Sequence, residues 1–435
     1  METILRTIKR MIPKRIFAFF QPHYHLMFAY MGALWYRNPS KKIYVIGVTG
    51  TKGKSTISEL VATILEEAGH TVALSSTIHH KIADTVVPNK HKMSMPGRFF
   101  MQKFLAHAVE EDCGFAIIEM TSEGAAQNRH RYIELDALIF SNLSPEHIES
   151  HGSFENYRNA KLLLRDALIS SPKEDKKVIV NTDDEHGELF LEVGDEVEKL
   201  TYSVKQAEPY ATNERGTLFT YEKKSIHSPL PGRFNIYNIL AAATFARSIG
   251  VSLEVIKKAI EKKEIVKGRV ERVDEGQRFG VIVDYAHTAD SLEKLYSSFP
   301  DTGKICVLGN CGGGRDTWKR PEMARIAEKY CREVILTDED PYDEDPQAIV
   351  KEMKEAFEEK EPEVIMDRRL AIRHALGRAQ DNDLVLITGK GTDPYIMGPK
   401  GKKTPWSDEK VAREELQNLL GTTEKNDASG DRNVE

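Results

Sequence analysis

Gly50-Thr51-Lys52-Gly53-Lys54-Ser55-Thr56 places two glycines, two lysines and three hydroxyls within seven residues. In a turn between a strand and a helix, these residue types bind a nucleoside triphosphate. Backbone N–H groups of the turn and the positive end of the helix cradle phosphate oxygens. Lys54 then reaches the β- and γ-phosphates, and the Ser55 hydroxyl holds Mg2+. The flanking sequence supplies that context. Ile43 to Val48 reads as a buried strand, while Ile57, Leu60, Val61, Ile64, Leu65 and Ala68 share one helical face that stops at Gly69. Val48 stands where the usual loop has its first glycine, with Gly47 and Gly50 on either side. A purely structural turn is the plainer alternative, and the strand and helix around it favour the nucleotide.

Further along, Phe115-Ala-Ile-Ile-Glu119 is an apolar run ending on a carboxylate. Side chains at the carboxyl ends of parallel strands face the ligand crevice, so Glu119 is a candidate Mg2+ ligand. An acid in a solvated loop is the competing reading. A strand over Ala137 to Leu143 runs into Ser144-Pro-Glu-His-Ile-Glu-Ser-His-Gly152. His147 and His151 have helical spacing, but no Glu stands between them in the zincin order and no third ligand is evident. A single histidine joining a Mg2+ site fits better than zinc. Lys161 lies in a helix over Phe154 to Leu168, where spacing alone makes it a solvated or snorkelling lysine.

These residues need elements to position them, and the 435-residue chain is long enough for two to three domains. Strands and helices alternate through both halves, the pattern of α/β domains with parallel sheets. Residues 43–265 read as a P-loop ATPase domain. Residues 266–420 read as a Rossmann-like, doubly wound domain, with Lys267-Gly-Arg-Val at the boundary. Its strands end in polar or glycine-rich stretches: Asp284-Tyr-Ala-His287, Gly309 to Asp316, Asp338-Glu-Asp-Pro-Tyr342, Asp367-Arg-Arg369 and Gly389-Lys-Gly-Thr-Asp393. The segment from about 195 to 230 reads as short strands, and 421–435 as a disordered tail.

A net charge of −6 without a basic, aromatic-laced stripe argues against nucleic acid. Cys113, Cys306, Cys311 and Cys331 show neither metal nor disulfide spacing, which fits a reducing cytoplasm. No apolar run is long enough to span a bilayer. Residues 1–42 form a short helical segment, basic at first and aromatic-rich from Ile16 to Tyr36. Pro13, Pro22 and the charges interrupt any apolar core, which argues against a signal peptide. Two readings stay open for it: peripheral contact of residues 1–36 with an anionic membrane, or packing against the ATP-binding domain.

Taken together, the motifs resemble those of the Mur ligases over residues 43–420, closest to the MurE branch, which adds the third residue of the peptidoglycan stem peptide. Gly50 to Thr56 resembles G-T-N-G-K-T-T with Lys52 for Asn. Glu119-Met-Thr-Ser-Glu-Gly-Ala-Ala-Gln-Asn-Arg129 resembles E-V-S-S-H-G-L-x-x-x-R with Glu123 for His. Asn142 to Gly152 resembles N-L-T-R-D-H-L-D-Y-H-G, and Asn159-Ala-Lys161 falls on the lysine the family carbamylates. Asp284-Tyr-Ala-His-Thr288 resembles D-Y-A-H-T-P, and Gly309 to Pro321 the loop ending in K-R-P.

The resemblance implies an ADP-forming ligase in which ATP phosphorylates a muropeptide carboxylate and an amino acid's amine displaces the phosphate. It assigns Ser55 and Glu119 to one Mg2+, and His147 with carbamylated Lys161 to another. Gly50, Thr51, Lys52, Gly53, Lys54, Ser55, Thr56, Asn238, Arg269 and Asp284 would contact ATP, with Asp284 on the ribose. Ser122 and Arg129 would touch the carboxylate substrate. A cytoplasmic monomer acting on small molecules is expected.

Two departures qualify the match. Only about forty residues precede the loop, where MurE enzymes have a domain for the uridine diphosphate end of the substrate. Either that end is held differently or the acceptor is lipid-linked. The second departure is Glu339-Asp-Pro-Tyr342, which stands where diaminopimelate users have D-N-P-R. With Glu339, Asp340, Tyr342 and Asp393 as substrate contacts, a lysine or ornithine side chain is favoured electrostatically over diaminopimelate. The alternatives are a folylpolyglutamate synthase-like glutamate ligase and a catalytically decayed partner protein.

Overall fold

The computed structural model describes residues 14–430 apart from 91, 92, 98, 147, 214, 301, 315 and 316, without the side chains of 14–19, 22 and 422–430. The chain divides into two compact units, the first made mainly of residues 1–209 with 235–262 and the second mainly of 263–435.

The first unit is built on an eight-stranded sheet in the order β4-β3-β2-β5-β1-β6-β7-β8. Its strands are β1 (Tyr44–Thr49), β2 (Val72–Ser75), β3 (His79–Ile82), β4 (Thr85–Pro88), β5 (Phe115–Glu119), β6 (Ala137–Phe140), β7 (Lys176–Asn181) and β8 (Val197–Tyr202). The six strands from β2 to β8 in that order run parallel, and β3 and β4 extend the edge antiparallel. Continuous apolar runs suit a sheet covered on both faces, and Val45, Ile46 and Val48 are fully buried in β1. The helix α2 (Lys54–Glu67) buries Ile57, Leu60, Val61, Ile64 and Leu65, the face expected from spacing. Register places the site: Val48 pairs with Glu119 on one side and Ile139 on the other, so β5, β1 and β6 end together.

The helix α1 (Lys14–Trp35) packs on α3 (Phe100–Glu110) and the residues before it. Ala29 and Ala33 are buried, and a Cβ on Gly32 would lie 2.9 Å from the Phe99 ring. Packing against the first unit is therefore what one face of this segment does.

In the second unit the sheet order is β12-β13-β17-β14-β15-β16. After the short strands β9 (Tyr210–Asn213), β10 (Gly216–Tyr221) and β11 (Lys224–Ser228) come β12 (Glu271–Arg272), β13 (Gly280–Asp284), β14 (Lys304–Leu308), β15 (Glu333–Leu336), β16 (Glu363–Val364) and β17 (Leu384–Thr388). All pairings from β13 to β16 are parallel, as a doubly wound domain requires, and β12 is antiparallel. The last helix runs Asp408–Gly430, so the backbone continues helical past residue 420, where sequence composition predicted a disordered tail. Buried Val411, Ala412 and Leu416 anchor its first turns.

The cysteine reading is corrected here. Cys306 and Cys331 form a disulfide, with Cα atoms 6.2 Å apart. Linear spacing hides the pair because it is made by a crossover. Strand β14 carries Cys306, the chain returns through a helix over Lys319–Tyr330, and Cys331 enters the neighbouring parallel strand β15. Cys113 and Cys311 stand outside this bridge. No helix among the described residues is long and apolar enough to cross a membrane.

Candidate active site

The glycine-rich turn leaves β1 between the ends of β5 and β6, where a phosphate-binding loop belongs. Its geometry requires glycine twice. Gly50 has φ +143° and a Cβ there would lie 1.9 Å from the Ser141 hydroxyl, while Gly53 has φ +84° and a Cβ there would meet Asn238 Oδ1 at 2.3 Å. The segment after β6 fixes the loop. Thr51 N donates to the Asn142 carbonyl at 2.7 Å, Lys52 N donates to Asn142 Oδ1 at 2.9 Å, and Ser141 Oγ donates to the Lys52 carbonyl at 2.7 Å. Asn238, held by its own amide on Asn235 at 2.9 Å, thus sits against the turn.

Three lysines converge here. Lys54 Nζ donates to the Gly50 and Thr51 carbonyls at 2.9 and 2.8 Å, and Lys161 Nζ donates to the same Gly50 carbonyl at 2.7 Å. Lys52 Nζ pairs with the buried Glu146 at 2.8 Å. Such a concentration of positive charge on one loop is a fit for polyphosphate. Lys161 is no snorkelling surface lysine, being only 2% exposed. Burial first, then the nearby Lys54 ammonium, push its pKa well below the ordinary lysine range. A neutral amine is the form that reacts with carbon dioxide, so this environment fits carbamylation.

Glu119 is 2% exposed, which excludes the solvated-loop reading. Its carboxylate accepts from Ser55 Oγ at 3.0 Å, from Thr77 N and Thr77 Oγ1 at 2.8 Å each, and from Ser94 Oγ at 3.1 Å. Ser55 and Glu119 together present hard oxygen donors at the end of the phosphate loop, the donor set Mg2+ prefers. His147, assigned to the second metal, lies outside the described residues. His151, its partner in spacing, contacts Ser122 Oγ through Nε2 at 3.1 Å.

Thr77 and Ser94 escaped sequence reasoning. Neither hydroxyl belongs to a motif that sequence spacing picks out. A hydroxyl two residues beyond β2, the strand that pairs with β5, was the signal available. The loop carrying Ser94 also reaches Arg129, whose Nη1 donates to the Met95 carbonyl at 2.7 Å and whose buried Nε has no partner among the described residues. Met95 also accepts from Thr121 N through sulfur, so one loop ties Glu119, the Ser122 turn and Arg129 together. Glu123, the His replacement, sits in the first turn of the short helix Ser122–Ala126.

In the second unit, Arg269 lies over the Tyr285 ring at 4.4 Å, beside Asp284. Asp284 accepts from Val270 N and Ala286 N at 2.7 Å each, so the carboxylate is oriented by backbone. A Cβ on Gly268 would lie 2.5 Å from Thr392 N, which brings the Arg269 turn against the Gly389 to Asp393 loop.

The acidic cluster needs a correction. Asp340 accepts from buried Lys390 at 2.8 Å and from Met397 N at 2.7 Å, and Asp393 lies 3.5 Å from the same lysine. Glu339 is buried, one of its oxygens has no partner among the described residues, and desolvation raises its pKa to about 7 despite Arg368 and Lys390 nearby. Much of the negative charge read from the sequence is therefore spent inside the unit or protonated, because Lys390 and the burial were invisible to linear spacing. Tyr342, at φ 52°, donates its N–H to the Met397 carbonyl at 2.9 Å and packs by Gly313.

Comparison with known proteins accords with this geometry. The Mur ligase middle domain model matches residues 48–246, and the Mur ligase, glutamate ligase domain model matches 268–391. A UDP-N-acetylmuramoyl-L-alanyl-D-glutamate--2,6-diaminopimelate ligase of Syntrophomonas wolfei is 37% identical over 406 residues, 89% of this chain and 81% of that protein. A UDP-N-acetylmuramyl-tripeptide synthetase of a Roseiflexus species is 35% identical over 424 residues, 92% of this chain and 83% of that protein. Among solved structures, a diaminopimelate ligase of the same description aligns with a TM-score of 0.60 at 29% identity, over 87% of this chain and 79% of its own. A folylpolyglutamate synthase of Mycobacterium tuberculosis complexed with ADP shares the fold, with a TM-score of 0.68 at 15% identity over 84% of this chain and 92% of its own. The chain belongs to the Mur ligase family and is an ATP-dependent peptide ligase of the MurE type.

Proposed function

We propose that this ligase joins a basic amino acid to the peptide carboxylate of a muramoyl-dipeptide precursor of peptidoglycan, through an acyl phosphate. The observation that carries the reading is the convergence of Lys54, Lys161 and the Ser55–Glu119 pair at the ends of β1 and β5. A carboxylate is a poor electrophile, and its phosphorylation depends on positioning and charge neutralisation. Lys54 leaves the loop carbonyls for the terminal phosphate, and the amides of Gly50 to Thr56 hold the remaining phosphates. Lys52 stays fixed by Glu146 beside them. Ser55 and Glu119 would hold one Mg2+, and His147 with carbamylated Lys161 a second, and such ions would supply charge neutralisation at the transferring phosphoryl group. Ser122 and Arg129 orient the acceptor carboxylate, Arg129 by exchanging its contacts to Met95 and Gln127 for the substrate. In the second unit, Arg269 and Asp284 take the nucleotide, and Asp393 with Tyr342 the incoming amino acid.

The preference for lysine or ornithine rests on Tyr342, which offers no guanidinium to a distal carboxylate, and on Asp393. Relatives named as diaminopimelate ligases point the other way. ADP release with Mg2+-ATP, bicarbonate, UDP-linked or lipid-linked muramoyl-dipeptide and a panel of amino acids tests the choice. Turnover is expected with lysine or ornithine, and diaminopimelate outcompeting both overturns it. The enzyme acts as a cytoplasmic monomer, which light scattering checks.

A further inference from the structure

We propose that α1 docks this chain on the surface of an anionic phospholipid bilayer through a stripe formed by Phe20, Tyr24, Met27, Met31, Leu34 and Trp35. Each of these positions lies three or four residues from another of the set, with Leu34 and Trp35 both one turn beyond Met31, so they share one face of the helix, and all six are exposed. Trp35 is 79% exposed, Phe20 61%, Leu34 54% and Met27 50%. The opposite face is turned inward: Ala29, Gly32 and Ala33 are buried, a Cβ on Gly32 would meet Phe99 and Gln102, and the Phe28 ring packs on Phe99. The exposed face is thus apolar in addition to the buried one, the reverse of a helix whose outer side faces water. No Asp, Glu, Lys or Arg occurs between Ile16 and Tyr36, so nothing charged dilutes the stripe. A contiguous apolar face of this kind marks an interaction surface.

Charge selects the occupant. Residues 1–42 carry eight Lys and Arg against one acid, Glu2, whereas the remaining residues carry 53 against 66. Both flanks of the aromatic stretch are basic: Lys14 and Arg15 before it, and exposed Arg37, Lys41 and Lys42 after it. An apolar stripe with tyrosine and tryptophan at its margins and basic residues at both ends matches the boundary between acyl chains and anionic headgroups. The helix is not apolar enough to cross the bilayer, so it lies in the surface. This inference stands independently of the ligase chemistry.

The test is sedimentation of the full chain with phosphatidylglycerol-containing vesicles and with phosphatidylcholine vesicles, in low and high salt. The expected result is pelleting with the anionic vesicles, weakened in high salt, and an affinity about tenfold or more lower for M27E/M31E/L34E. Because those side chains face outward, the triple variant keeps the thermal transition and the ATP turnover of the parent. Failure to pellet with anionic vesicles overturns the proposal, as does equal pelleting of parent and variant. So does a self-associated parent that the triple variant makes monomeric without any vesicle binding, which assigns the stripe to a second copy.

Discussion

Replacing Lys161 by methionine separates stability from activity in a direction that structure alone dictates. The wild-type amine is buried, lies near Lys54 and Lys52, and donates one hydrogen bond to the Gly50 carbonyl. Lys54 also donates to that carbonyl at 2.9 Å, so K161M leaves no orphaned acceptor. Exchanging a buried polar group for an apolar side chain of similar length, with no partner left unsatisfied, is neutral to stabilising. A gain of about 1 kcal/mol raises the transition of a unit this size by about 2–4 °C. The expectation is therefore an unchanged or higher thermal midpoint in bicarbonate-free buffer. ADP release falls by about 100- to 1000-fold, the usual loss when one group stabilising transition-state charge is removed. The pH dependence has a definite sign. Between its depressed native pKa and the ordinary lysine value of about 10.4, the unfolded chain binds more protons at Lys161 than the native chain does. Wild type thus gains stability relative to K161M as pH rises through that window. Differential scanning fluorimetry across pH and coupled ADP assays with added bicarbonate read both effects. A variant that melts well below wild type, or one that keeps full turnover, refutes the argument.

Gly53→Ala faces both a positive φ and the Asn238 side chain at 2.3 Å, and costs about 2–3 kcal/mol with loss of ATP turnover; Gly69→Ala, at φ +89° in open space, costs about 1 kcal/mol and keeps turnover, as paired denaturation curves will show. Glu339 has a native pKa near 7, above its unfolded value, so the native state binds more protons and wild-type stability falls as pH rises from about 4.5 to about 7. E339Q gains on wild type through that same window, measured as the difference in thermal midpoint. The Cys306–Cys331 bridge closes a crossover of 25 residues, and its reduction lowers the stability of the second unit by about 3 kcal/mol. Thiol titration of the denatured protein is expected to find two free thiols before reduction and four after it.

What the sequence made legible was local. The strand, glycine-rich turn and helix around Lys54 carry their own signals in apolar periodicity and glycine placement, and β5 ending on Glu119 needed only strand logic. Lys161 was placed on its helix, but its burial depends on Gly50, which lies 111 residues away in the chain. Thr77 and Ser94 around Glu119 were not legible, because the contact needs β2 beside β5 and a loop folded back across both. The disulfide was hidden by a crossover for the same reason. Asp340 was misjudged as open charge because its partner Lys390 is fifty residues away. Pairings set by sheet order escape a reading built on neighbours in sequence.

The central claim is that an acyl phosphate forms on the acceptor before amide synthesis. The most direct measurement is turnover of a muramoyl-dipeptide carrying 18O in its terminal carboxylate, with ATP, Mg2+ and the accepted amino acid, followed by mass analysis of the inorganic phosphate. The account predicts one 18O atom in each phosphate released, in step with ADP and product. Phosphate free of 18O, or ADP formed at the same rate without the dipeptide, would contradict it.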